Sequence, residues 1–231
     1  MSTEVILVYL IIFLFFCVEF LLHYKFVNII RDDLTEKQRS YIMSIKSAIS
    51  MFLIGIYFNY HYLTSNFDQI EFFSNLESKG GMNFGKIIVL YFTAYLVMDL
   101  YIGHYDYRVH MDNLSGYFHH IVYCIVNMLS LYIGVYPIYF LHMMSELPTI
   151  ILSLGSFDKN FRNDNLFGIT FFLTRIVYHA FLIWAFKDNT LLFYIGSAAL
   201  CLHVYWFYLW LTKYLLTSKT KNKMKNKKKN K

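Results

Sequence analysis

The sequence predicts an all-α, multi-pass transmembrane helical bundle of about seven spans, with six as the alternative count. Three observations carry that prediction. Of the 231 residues, 57% are hydrophobic and 20% aromatic, against only 16% charged, a balance too apolar for an ordinary soluble domain. The apolar residues fall in long blocks separated by short polar stretches, the pattern of repeated bilayer crossings. The blocks do not alternate apolar and polar residues in segments of about ten, as the strands of a membrane barrel would.

The candidate spans are Val5–Leu22, Ser47–Leu63, Ile87–Ile102, Tyr117–Ile133, Val135–Leu154, Phe167–Phe186 and Leu191–Leu211. A helix needs about 20 apolar residues to cross the hydrocarbon, with ~17 as a lower limit. The third span is short by that standard, so its ends are expected to extend into flanking sequence. The fourth and fifth are separated almost only by Gly134, which reads as a tight hairpin or as one long broken segment. The first block has no basic residues in Met1–Glu4 and no small-residue cleavage site after it. It therefore reads as a span and not as a cleaved leader, and Glu19 within it is an awkward charge for a plain anchor.

Lysine and arginine set the expected orientation. With seven spans and a lumenal N-terminus, the cytosolic segments hold Lys25, Arg31, Lys37, Arg39, Arg108, Lys159 and Arg162, and the lumenal ones only Lys79, Lys86 and Lys187. That asymmetry follows the positive-inside rule and puts the C-terminus in the cytosol. From Lys213 onward there are nine lysines and no acid. A basic tail just after a membrane helix is expected to meet anionic lipid headgroups. A nucleic-acid partner would need a folded basic surface, and none is legible. Lys228-Lys229-Asn230-Lys231 has the form of a dilysine retrieval signal, though so biased a tail meets short basic patterns by chance. The sequon Asn113-Leu114-Ser115 falls in an expected cytosolic loop, where it would not be glycosylated.

Titratable groups inside a span are costly, by about 2.5–3.5 kcal/mol at the centre on insertion scales. This chain has Asp99 ending the third span, His119 and His120 opening the fourth, His142 and Glu146 in the fifth, Arg175 and His179 in the sixth and His203 in the seventh. Each i, i+4 pair, His142 with Glu146 and Arg175 with His179, should share one helix face, and Glu146 could pair with Arg175. Pro148, beside Glu146, should kink its helix and open it locally. Arg175, His179 and His203 read as structural polar residues that hold helices together. The paired histidines with Asp99 read instead as a chemical site. Adjacent residues lie about 100° apart around a helix, so one ring can face a site while Asp99 fixes its tautomer, and a histidine can take a proton from a hydroxyl or amine. No metal is expected, since His104, His110 and the paired histidines give no series of closely spaced histidine motifs. Cys17, Cys124 and Cys201 have no paired spacing and imply neither a disulfide framework nor a zinc site.

Four segments, in order, resemble the TLC-domain family of endoplasmic-reticulum lipid proteins. Tyr95-Leu96-Val97-Met98-Asp99 is similar to the family's apolar helix ending in Asp, and Phe118-His119-His120 to its paired histidines. Ser145-Glu146-Leu147-Pro148-Thr149 is similar to its Glu-x-Ser/Pro-Thr motif, and Phe171-Phe172-Leu173-Thr174-Arg175-Ile176 to its late Phe-rich helix with an Arg. The resemblance covers roughly Tyr41 to Lys213. It implies a TLC domain at 41–213, preceded by a first helix and cytosolic loop at 1–40 and followed by a basic, disordered tail at 214–231. It also implies residence in the endoplasmic reticulum and a role in lipid metabolism or lipid homeostasis. In the acyl-transfer form of that role His119, His120, Asp99, His142 and Glu146 are the catalytic candidates, acyl-CoA is the co-substrate and no cofactor is firmly bound. Two departures qualify the activity. Met43-Ser44-Ile45-Lys46-Ser47-Ala48 keeps a Ser but lacks the His often found there. Met143 stands where ceramide synthases have the first Asp of a His-Asp-x-x-Asp motif, so the chain is closer to the small TLC-domain-containing members. The alternative function is a non-enzymatic lipid sensor or trafficking adaptor, in which the same residues only hold helices together. A transporter is disfavoured by the lack of an inverted repeat. Oligomeric state is not legible.

Overall fold

The computed structural model describes the backbone of residues 3–229, and side chains through residue 216 except Ser115. Among the described residues there are helices and no strands. Seven segments are long and apolar enough to cross a membrane: Thr3–Ile30, Glu36–Thr64, Gly81–Asp106, Gly116–Ile133, Tyr136–Phe157, Asp164–Ala185 and Thr190–Leu216. The protein is a multi-pass helical membrane protein. The chain forms two compact units, residues 1–161 and 162–231.

In the first unit, α1 (Thr3–Ile30) lies against the central α5 (Gly81–Asp106). α5 reaches a spanning length by adding polar ends, Gly81–Lys86 and Gly103–Asp106, to the short apolar block. The awkward Glu19 of α1 has a partner: Lys46 of α3 (Ile42–Thr64) forms an ion pair with it and lies 4.7 Å over the Phe20 ring. One turn further along α1, the Tyr24 hydroxyl donates to Asp106 at the end of α5, and Arg39 Nε lies 3.6 Å from the same carboxylate. Charges that would be costly in lipid are thereby used to fix α1 on its neighbours.

Between spans, Thr35 and Gln38 form a capping box that starts the short α2 (Glu36–Arg39), in which each side chain satisfies the other's orphan backbone N–H. α4 (Gln69–Ser78) was not anticipated from hydropathy. Asp68 caps it by accepting from Glu71 N at 2.8 Å, and Phe72 and Leu76, one turn apart, are fully buried.

The fourth and fifth spans form a tight hairpin and not one broken segment. α6 (His119–Ile133) ends at Gly134, whose φ of 80° is left-handed, and Val135 N–H returns to Ser130 O at 3.0 Å. Glycine takes this conformation without a Cβ penalty. The return leg comprises α7 (Tyr136–Leu141), a 3-10 stretch His142–Glu146 and α8 (Leu147–Phe157).

That 3-10 stretch replaces the α-helical turn on which the sequence spacing of His142 and Glu146 was read. Pro148 has no N–H for Met144 O, and Leu147 N–H takes that carbonyl instead, tightening the turn. At about three residues per turn, positions four apart diverge by roughly a third of a turn. α3 packs closely here: a Cβ on Gly55 would stand 2.9 Å from Met143 C and Met144 N. Asn59, one turn on, donates to Leu141 O at 3.1 Å and to Gly55 O at 2.8 Å.

The second unit contains α9 (Asp164–Phe171), a π-helical stretch Phe172–Val177, α10 (Tyr178–Ala185) and α11 (Thr190–Lys229). The backbone helix of α11 runs into the stretch read from sequence as a disordered tail. The side chains of the dilysine pattern at 228–231, and Ser115 of the sequon, lie outside the described residues.

Because Gly55 meets backbone and not a flexible side chain, Gly55→Val should cost about 1–3 kcal/mol by overpacking. Thermal unfolding in detergent should report this as a melting temperature several degrees lower, and an unchanged value would contradict the close approach.

Candidate functional site

α5 is buried all round over Phe92–Leu96, and Asp99 shares a face with Tyr95, Leu96 and Ile102, spaced three or four residues from it as one helix face requires. Asp99 is only 3% exposed. A carboxylate inside a bundle needs polar partners, and two converge on it. Tyr107 caps α5 with a non-helical backbone (φ −140°, ψ 41°), which lets its ring turn back so that its hydroxyl donates to Asp99 Oδ1 at 2.5 Å. His120, near the start of α6, has Nε2 3.5 Å from Asp99 Oδ2. Tyr107 is fully buried; burial first, and the adjacent Asp99 charge second, push its hydroxyl well above the ordinary value of 10.0.

The paired histidines have different surroundings. His120 is buried, its ring edge-on to Tyr95 at 5.8 Å, and its Nδ1 has no hydrogen-bond partner among the described residues. His119 is half-buried and packs on the Tyr123 ring at 4.4 Å. An Nε2–H donated toward Asp99 would leave the lone pair of His120 on Nδ1. That arrangement suits proton acceptance from a bound hydroxyl or amine.

Glu146 joins this interior through tyrosines. It is half-buried and within electrostatic reach of the Tyr95 and Tyr139 hydroxyls. Tyr95 also lies beside Ser44 of α3. Tyr139 is aromatic neighbour to Tyr123 at 6.4 Å, and its buried hydroxyl has no hydrogen-bond partner among the described residues. Asp99 and His120 thus meet directly, His119 adjoins His120 with ring centroids 5.6 Å apart, and Glu146 lies within electrostatic reach of Tyr95 and Tyr139, while His142 is half-buried at the start of the 3-10 stretch. Sequence reasoning missed Tyr107, Tyr139 and Asn59. In a chain with 21 tyrosines no spacing marks the two that are used here, while Asn59 could have been noticed as an amide inside a span.

The remaining polar candidates sit in the second unit. His203 Nδ1 lies 3.1 Å from Arg175 O and 3.1 Å from His179 Nδ1, and both histidines are buried. The wide π turn takes Arg175 out of the α-helical hydrogen-bond register, and His203 supplies a side-chain donor for its carbonyl. The Arg175 guanidinium lies 5.2 Å over the Phe171 ring. Glu146 belongs to the first unit and Arg175 to the second.

Among the described residues, no group of three or more His, Cys, Asp or Glu side chains is arranged to hold a metal ion, and the three cysteines are free. No family model matches the chain, and no curated protein and no solved structure matches it.

Two outcomes are expected. Asp99→Ala strands the Tyr107 hydroxyl and His120 Nε2–H in a buried site, which should cost about 1–3 kcal/mol; Asp99→Asn, which can still accept from Tyr107, should cost less in the same unfolding assay. Tyr107 has a folded-state pKa raised above its unfolded value, so its stabilisation is complete below pH 10.0 and is lost as pH rises beyond it. Tyr107→Phe should therefore flatten the alkaline fall in stability.

Proposed function

We propose that this protein is a TLC-domain-type protein of the endoplasmic reticulum that acts in lipid metabolism, transferring an acyl group from acyl-CoA to a lipid amine or hydroxyl. The observation that carries the reading is His120: a buried imidazole with Nε2 toward Asp99, Nδ1 unpartnered among the described residues, and an apolar bundle around it. His120 Nδ1 takes the proton of the acceptor N–H or O–H as the heteroatom attacks the thioester carbonyl. Collapse of the tetrahedral adduct breaks the C–S bond, and the proton leaves with the CoA thiol. Asp99 and Tyr107 are positioning residues, holding the tautomer and ring of His120.

The topology proposed with this activity has a lumenal N-terminus and a cytosolic C-terminus, supported by the lysine and arginine distribution. The terminal lysines would then be available as a retrieval signal and to anionic headgroups. The second reading, a lipid sensor or trafficking adaptor without turnover, is favoured by one observation: the helix-start segment 43–48 has Lys46 tied to Glu19 and no histidine.

Purified protein supplied with acyl-CoA and either sphingoid or glycerolipid acceptors tests the enzymatic reading. Wild type should release CoA thiol and form acylated lipid. His120→Asn should lower kcat by at least about 100-fold, with the fold checked by melting, and His119→Asn should retain most of the rate. Full activity in His120→Asn would remove the mechanism. A wild-type protein inactive on both acceptor classes would favour the sensor reading.

A further inference from the structure

The proton transfer assigned to His120 leaves one need of the reaction unmet. As the acceptor heteroatom bonds to the thioester carbon, negative charge develops on the carbonyl oxygen. A fixed hydrogen-bond donor aimed at that charge is usually the largest single contribution to such a step. Inside an apolar bundle the donor must be a protein group.

Six rings from α5, α6 and α7 form a closed circuit that includes His120. In one direction His120 neighbours Tyr95 at 5.8 Å, Tyr95 stacks on Phe92 at 5.8 Å, and Phe92 lies 6.4 Å from Tyr139. In the other, His120 neighbours His119 at 5.6 Å, His119 lies 4.4 Å from Tyr123, and Tyr123 lies 6.4 Å from Tyr139. Tyr139 therefore stands opposite His120 on the circuit. The residues flanking Tyr139 hold α7 in place. Tyr136 donates to Met82 O of α5 at 3.0 Å, and Phe140 packs on Phe58 of α3 at 5.0 Å.

His120 Nδ1 and the Tyr139 hydroxyl are both buried without a hydrogen-bond partner among the described residues. With Nε2–H given to Asp99, His120 Nδ1 is an acceptor, while a phenol has a proton to donate. An acceptor for the nucleophile's proton and a donor for the carbonyl oxygen are the pair that acyl transfer requires. The neighbouring hydroxyls are placed otherwise: that of Tyr107 donates to Asp99 Oδ1, and Tyr95 lies beside Ser44.

We infer that Tyr139 is a further catalytic residue, its hydroxyl donating a hydrogen bond to the thioester carbonyl oxygen while His120 takes the acceptor's proton. The inference rests on the acyl-transfer reading. Tyr139 keeps its own proton throughout. Its hydrogen bond strengthens as the carbonyl oxygen becomes negative, and relaxes when the C–S bond breaks and the C=O bond re-forms.

Tyr139→Phe keeps the ring and removes only the hydroxyl. In the purified acyl-transfer assay it should lower kcat by about 100-fold or more, with KM within about threefold of wild type. It should also melt no lower than wild type, because the hydroxyl it deletes is unpaired; loss of a bonded structural hydroxyl would instead lower stability. Full kcat in Tyr139→Phe, beside a wild type that turns over and a His120→Asn variant that does not, would sink this inference and leave the histidine base standing. A melting temperature several degrees lower would sink it as well, by revealing a structural partner for the hydroxyl. A wild-type protein without turnover would remove the acyl-transfer reading itself, and this inference with it.

Discussion

Polar groups inside hydrocarbon must be satisfied by other protein groups, and Asp99 is where that requirement is most severe. Its carboxylate lies on the buried face of the central helix of the first unit, and both oxygens are answered, one by the Tyr107 hydroxyl and the other by His120 Nε2. Those partners come from the end of α5 and the start of α6, so Asp99 ties the loop that joins them to the helix it follows. The same rule explains the periphery. Lys46 answers Glu19, Tyr24 and Arg39 answer Asp106, and Asn59 answers the Leu141 carbonyl. Each contact also joins elements distant in sequence, so the need for satisfaction specifies packing.

The satisfaction is incomplete at a few atoms, and these give the interior its chemical interest. His120 Nδ1 and the Tyr139 hydroxyl are buried without a hydrogen-bond partner among the described residues, in the cluster that also holds Glu146. Buried polar atoms left unpaired are costly and are places where a bound hydroxyl or amine would gain most. In the second unit His179 and His203 contact each other and a π-turn carbonyl, which joins α10 to α11.

Hydropathy was enough to read the spans, because blocks of about 20 apolar residues have few other uses. The proximity of Asp99 and His120 was also legible, from a costly acid and a costly base placed at the joined ends of consecutive spans. Four features were not. The 3-10 backbone of His142–Glu146 depends on a hydrogen bond that Pro148 cannot make, so α-helical spacing did not anticipate it. The partner of Glu19 was hidden because Lys46 lies 27 residues away on another helix, at a position no spacing connects to Glu19. Tyr107 acts only because the backbone breaks out of helix at that residue, and nothing in an aromatic-rich sequence marks which tyrosine will turn inward. α4 is too short for a hydropathy window, although Asp68 with Phe72 and Leu76 carries the local signal of a capped amphipathic turn.

The account turns on whether Asp99 and His120 interact within the folded bundle. A double-mutant cycle built from Asp99→Asn, His120→Gln and the combined variant, read by reversible unfolding in lipid micelles, measures that interaction directly. The account predicts a coupling energy of about 1 kcal/mol or more between the two positions. Additivity within ~0.3 kcal/mol would mean that the two side chains do not meet, and would contradict both the site and the function proposed for it.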